Sequence, residues 1–151
     1  MQSNSREVRR HSWNMGNSLK ILIADGAAVV RDRLSLRVSE INRVEVVGQA
    51  KDKGEAISLF DLMEPDAVIV DVQMPGGGGL DVLRHVKGRR PEVAVVMMTA
   101  FPSSHHREAS ARGGADFFVD KANDIGEIIR VVNDLAGGFA DRLGVEPSPA
   151  G

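Results

Sequence analysis

The sequence predicts an α/β fold: a doubly wound, five-stranded parallel sheet with helices on both faces. Three observations carry that expectation. Short β-branched runs alternate with helical stretches five times along the chain. The runs LKILIA, AVIV and VAVVMM are continuously apolar, as strands covered on both faces are. Right-handed crossovers between parallel strands then restrict the topology, and an open sheet of this size is doubly wound, with strand order 2-1-3-4-5.

The elements follow in order. LKILIAD has no helical period and is the first strand, broken by Asp25-Gly26. AAVVRDRLSLRVSE is the first helix, expected to turn Val29, Val30, Leu34 and Val38 inward. VEVVGQA is the second strand. GEAISLFDLME is the second helix, with Ala56, Ile57, Leu59, Phe60 and Met63 inward and Pro65 closing it. DAVIVDV is the third strand, and GLDVLRHVKG the third helix, expected to stop at Gly88. VAVVMMTA is the fourth strand, with Met97-Met98 as core filling. SSHHREASARGG is a weak fourth helix capped by Ser103 or Ser104. ADFFVDK is the fifth strand. DIGEIIRVVNDLAGG is the fifth helix, with Ile125, Ile128, Ile129, Val132 and Leu135 inward. The expected organisation is a mobile N-terminal arm over 1–18, one domain over 19–138 and a frayed, flexible tail over 139–151.

Composition narrows the function. Hydrophobic residues make up 42% and charged residues 26%, ordinary for a globular domain, and a chain of 151 residues can bury a core. The net charge of −2 gives no bulk attraction to nucleic acid or anionic lipid. The absence of cysteine excludes disulfides, thiolate metal sites and cysteine nucleophiles. No apolar run approaches the roughly 20 residues that cross a bilayer, and the polar N-terminus has no apolar core behind its charges. A cytoplasmic location is expected. Arg6, Arg9, Arg10, His11 and Trp13 belong to the arm, where a solvated tail explains them. A solvated helix end likewise explains His85, His105 and His106, for which no metal-binding partners are evident.

In open α/β sheets the working site lies beyond the carboxyl ends of the strands. Asp25 ends the first strand, Asp71 the third, Thr99 the fourth and Lys121 the fifth. Two carboxylates, a hydroxyl and an ammonium are thus expected on one edge. Adjacent carboxylates repel, and a hard dication such as Mg²⁺, which takes oxygen ligands and keeps several waters, relieves the repulsion. An aspartate can accept a phosphoryl group as an aspartyl phosphate. Lys121 would then neutralise charge on the transferring group, and the Thr99 hydroxyl would bond one of its oxygens. The segment VIVDVQMPGGGG, Val68 to Gly79, admits a rival reading as a glycine cradle for phosphate. It lacks the G-K-[ST] ending that a phosphate-binding loop needs, so Asp71 is read as the reactive group and Gly76 to Gly79 as a turn into the third helix.

The stretches KILIAD, DAVIVDVQMPGGGGLDVLRHVK, VAVVMMTA and GGADFFVDK resemble the receiver domain of two-component response regulators, over about Leu19 to Gly138. The resemblance, which is chemotaxis-regulator-like, implies a flavodoxin-like sheet with Asp71 as phosphoacceptor and Thr99 and Lys121 as switch residues. It also implies Phe118 as the aromatic switch and the backbone carbonyl of Gln73 as a Mg²⁺ ligand beside Asp25 and Asp71. It further implies phosphoryl transfer from a histidine kinase or phosphorelay protein, followed by a shift of the face made by the fourth helix, fifth strand and fifth helix. Such a chain catalyses its own phosphorylation and dephosphorylation and has no separate substrate.

Three features depart from the family pattern. Gly26 stands where a second acidic residue is usual. With one carboxylate fewer, Mg²⁺ is expected to bind more weakly than in a Gly26→Asp variant, and Asp32 is too far into the first helix to substitute. Ala122 follows Lys121 where many relatives have a cis proline, so a trans bond is expected there. Phe101, two residues past Thr99, is expected to shield an acyl phosphate from water.

Three functions remain open at this point. The first is a single-domain response regulator. Residues 139–151 leave no room for a DNA-binding module, so its output goes through a protein target, and its output face could also form a homodimer. The second is a pseudo-receiver that lacks phosphotransfer and serves as an interaction module. The third is a flavodoxin-like enzyme binding a phosphorylated cofactor, against which stand an aromatic content of 4% and the lack of tyrosine.

Overall fold

The computed structural model of the chain describes residues 18–75, 77–121 and 125–144. Five strands alternate with five helices: β1 (Leu19–Ala24), α1 (Ala28–Ser39), β2 (Val44–Ala50), α2 (Lys53–Met63), β3 (Ala67–Asp71), α3 (Gly79–Arg89), β4 (Ala94–Thr99), α4 (Ser104–Arg112), β5 (Phe117–Asp120) and α5 (Ile125–Leu143). The strands form one parallel sheet in the order β2-β1-β3-β4-β5. This is the doubly wound, flavodoxin-like arrangement that the alternation predicts.

Alternate residues of the inner strands feed two cores. Leu22, Ala24, Val68, Val70, Val95 and Met97 face one side and meet Ala56 and Phe60 of α2 and Val82, Leu83 and Val86 of α3. Ile21, Ile23, Ala67, Ile69, Val96 and Met98 face the other and meet Leu34 and Val38 of α1 and Ile128 and Val132 of α5. Burial on both faces removes the polar alternation that a half-exposed sheet would show. It also fixes register, because a one-residue slip would send every side chain to the wrong core. The strands' carboxyl ends are therefore held at a common edge.

The structure corrects four details. In α1 the buried stripe is Leu34 and Val38, with Val30 packed beside them, while Val29 lies off that stripe and is 74% exposed. The third helix does not stop at Gly88. It runs to Arg89, and Arg90 turns extended (φ −141°, ψ 83°) because a residue before proline, here Pro91, is driven out of the helical region. His85 is not a solvated helix end. Its Nε2 lies 2.9 Å from Asp61 Oδ1, and its ring meets the Phe60 ring edge-on.

The fourth correction concerns the expected tail over 139–151. α5 passes through Gly137 and Gly138 and ends at Leu143. Phe139 packs on the α1–α5 core and Ala140 is only 2% exposed, continuing the stripe set by Val132, Leu135 and Ala136. Two glycines in a helix cost about 1 kcal/mol each, and the added apolar contacts outweigh that cost. The first 17 residues of the expected arm, and residues 145–151, lie outside the described residues, as does the Ala122 position.

α4 is built differently from the other helices. Ser103 caps it by accepting the His106 N–H at 3.1 Å, as expected from the sequence. Its only fully buried residue is Ser110, whose hydroxyl has no hydrogen-bond partner among the described residues.

Ala140→Asp places an unpaired carboxylate in the stripe and should cost about 2–4 kcal/mol, measured as a lower urea midpoint. An unchanged midpoint would mean that this turn contributes nothing to the fold.

Candidate phosphoacceptor site

Asp25, Asp71 and Lys121 meet at the carboxyl edge of the sheet. Lys121 Nζ donates to Asp25 Oδ2 at 2.5 Å and to Asp71 Oδ2 at 3.2 Å. Asp25 is 1% exposed and Asp71 7%. The remaining carboxylate oxygens are held by the turns that follow: Ala27 N–H donates to Asp25 Oδ1 at 2.8 Å, and Gln73 N–H donates to Asp71 Oδ1 at 3.1 Å. Every described carboxylate oxygen of the pair thus has a donor. This is the condition under which buried charge is tolerated.

The backbone around the pair is fixed by the sheet. Asp25 N–H donates to Ala50 O at 3.0 Å, Val72 N–H to Met98 O at 2.8 Å, and Lys121 N–H to Thr99 O at 2.9 Å. Thr99 is fully buried at the end of β4, and its hydroxyl oxygen accepts the Phe101 N–H at 3.1 Å. Phe101 itself is 72% exposed, and the turn closed on the Thr99 hydroxyl holds its backbone beside the strand edge.

Phe118, on β5 opposite Met97, is half-buried against the α2–α3 core. The guanidinium of Arg107, from α4, lies over its ring at 4.6 Å from the centroid. A cation over a ring face is attracted by the ring's quadrupole; the two residues are eleven positions apart on different elements, so spacing carries no signal for the pairing.

The glycine run after Pro75 is a turn. Gly77 N–H donates to Met74 O at 2.8 Å, and Gly77 has φ +68°, the left-handed region where glycine has no steric penalty. Gly79 is required by space: a Cβ there would lie 2.2 Å from the Asp71 carbonyl oxygen. The start of α3 therefore packs directly on the strand end that carries Asp71. Gly76 lies outside the described residues.

The donor set fits a hard dication that keeps most of its waters. The two carboxylates offer oxygen only, the ligand type Mg²⁺ prefers. Among the described residues no group of three or more His, Cys, Asp or Glu side chains could hold a metal, so nothing replaces the acid absent at Gly26. Asp32 is exposed on α1.

Residues 21–133 match the sequence profile of the response regulator receiver domain. The chain belongs to that family. It is 28% identical over 132 residues to the response regulator GacA of Pseudomonas aeruginosa, covering 87% of this chain and 60% of that protein. It is 31% identical over 127 residues to the transcriptional regulatory protein PdtaR of Mycobacterium tuberculosis, covering 84% of this chain and 61% of that protein. The chain thus spans about three fifths of the length of these curated relatives. Among solved structures, the response regulator domain of Thermotoga maritima CheB superposes with a TM-score of 0.67 at 25% identity, covering 86% of this chain and 99% of that one. A LuxR-family two-component response regulator from Aurantimonas sp. SI85-9A1 superposes with a TM-score of 0.74 at 26% identity, covering 80% and 86%. Receiver domains bind Mg²⁺ at an acidic pocket, and phosphorylation and dephosphorylation of their own aspartate are general properties of the family. Among the described residues no helix is long and apolar enough to cross a membrane.

The charge of Lys121 is tied to folding. Burial pulls its ammonium down, but the hydrogen bond to Asp25 and the charges of Asp71 and Asp25 together outweigh burial and hold its pKa above the ordinary 10.5. A pKa raised by folding contributes stability that is complete below the unfolded-state value and is lost as pH climbs through the folded one. The stability gap between the wild type and Lys121→Met should therefore hold steady up to about pH 10 and narrow above it, read from urea midpoints across pH 8–12. A gap that stays flat to pH 12 would show that the ammonium is not coupled to the two carboxylates.

Proposed function

We propose that Asp71 is the phosphoacceptor of a receiver that takes its phosphoryl group from a histidine kinase or a histidine phosphotransfer protein. The observation that carries this reading is the Lys121 ammonium bound to both Asp25 and Asp71 at the strand edge. In the transfer, an Asp71 carboxylate oxygen forms a bond to phosphorus as the nitrogen–phosphorus bond of a phosphohistidine breaks. The electron pair returns to the imidazole nitrogen. Lys121 balances the negative charge that arrives on Asp71, and the Gln73 N–H orients the attacking carboxylate. A Mg²⁺ held by Asp25, Asp71 and the Gln73 carbonyl would supply further charge neutralisation at the phosphoryl oxygens.

The proposed output is a change at the α4–β5–α5 face. Lys121 and Phe118 sit on or just past the same short strand, so a charge added at Asp71 that draws on Lys121 pulls at the end of β5. Phe118 lies between the core and Arg107 and would pass that movement to α4. The face is proposed to meet a protein target or a second copy of the chain, with no direct contact to nucleic acid or membrane.

One observation favours a second reading, an interaction module without phosphotransfer. Gly26 leaves two carboxylates where the family usually has three, which would weaken Mg²⁺ binding.

Intact mass after incubation with acetyl phosphate separates the two. The expected result is a phosphoryl adduct on the wild type that requires Mg²⁺ and is absent from Asp71→Ala. No adduct even at high Mg²⁺ would overturn the phosphoacceptor reading in favour of the interaction module.

A further inference from the structure

We propose that Arg107 is a latch: its guanidinium, laid on the Phe118 ring, holds α4 and β5 in the resting arrangement and so opposes phosphorylation of Asp71. The inference rests on the phosphoacceptor reading above and names a residue that sets how readily that site is modified.

Arg107 is poorly placed to stabilise its own helix. It lies in the first turn of α4, where the helix dipole disfavours a cation, and that turn contains no acidic residue to offset it. The positions within helical reach, three and four residues to either side, are Ser103, Ser104, Ser110 and Ala111. The one acid of α4, Glu108, is the immediate neighbour, and adjacent side chains on a helix do not face each other. The guanidinium goes instead to β5, 4.6 Å from the centroid of the Phe118 ring. That ring also packs against the α2–α3 core, so it is held between the core and the cation.

Little else ties α4 down. None of its residues belongs to either core, and the one it buries fully, Ser110, carries a hydroxyl with no hydrogen-bond partner among the described residues. An unpaired buried hydroxyl is unfavourable, and a helix seated this weakly can be biased by a single contact. The contact is also short-ranged, because it needs the cation within about 6 Å of the ring face. It is present while Lys121 is shared between Asp25 and Asp71. Phe118 lies three residues before Lys121, on the strand that a phosphoryl group on Asp71 would disturb. A turn of the ring, or a displacement of α4, takes the guanidinium off the face. The contact then stabilises the resting arrangement alone, and a stabiliser of one state lowers the affinity for whatever the other state binds.

The test uses beryllofluoride with Mg²⁺ as a mimic of the phosphoryl group on Asp71, its affinity read by isothermal titration calorimetry. Urea midpoints in EDTA separate a change in switching from a loss of fold. The proteins are the wild type, Arg107→Met, Arg107→Lys, Phe118→Leu, Arg107→Met/Phe118→Leu and Asp71→Ala. Arg107→Met keeps an unbranched stem and removes the charge. It should bind beryllofluoride about two- to fivefold more tightly than the wild type, the factor that an exposed cation–ring contact carries. Arg107→Lys should fall between the two. In the Phe118→Leu background, Arg107→Met should give no further gain. Unchanged or weaker affinity for Arg107→Met, whatever its midpoint, would overturn the latch, as would the same gain with and without the ring. No binding by the wild type, matching Asp71→Ala, would overturn the phosphoacceptor reading and the latch with it.

Discussion

The bond from one lysine to two aspartates is the interaction on which the rest of this structure depends. Asp25 and Asp71 are almost fully buried, and taking two carboxylates out of water costs several kcal/mol for each. Lys121 offsets part of that cost, and the turn amides of Ala27 and Gln73 satisfy the oxygens it leaves. The three charges come from β1, β3 and the end of β5, so their meeting requires those strand ends to be held at a common edge. The two apolar cores supply that precision by making any slip of register unfavourable. Fold and site are linked in this sense: the cores hold the strand ends, and the strand ends hold the charges.

Much of this was legible in the sequence because the relevant signals are local. Continuous apolar runs mark strands covered on both faces, and the residue that ends each run marks the working edge. Asp25, Asp71, Thr99 and Lys121 could be placed on that edge from their positions alone. What the residue order could not show was which carboxylate the lysine would bind. It binds both.

The misreadings share a physical cause, a local preference overridden by contacts from elsewhere in the chain. Gly137-Gly138 looks like a helix end, yet Phe139 and Ala140 carry the stripe of α5 onward. Gly88 looks like a stop, but Pro91 sets the boundary. His85 looks solvated until Asp61, on a different helix, is brought beside it. At Gly26 the residue order shows a missing charge, and the folded chain adds that a Cβ there would lie 2.7 Å from Pro75 Cδ.

α4 carries a different consequence. The helix buries little beyond one serine, is capped by another, and meets β5 through a guanidinium laid on a ring. Most of its exposed positions make no contribution to either core. Substitutions at these exposed positions are therefore expected to disturb neither core. A change along α4 therefore alters the charge and shape this side of the molecule presents while leaving the packing beneath it in place.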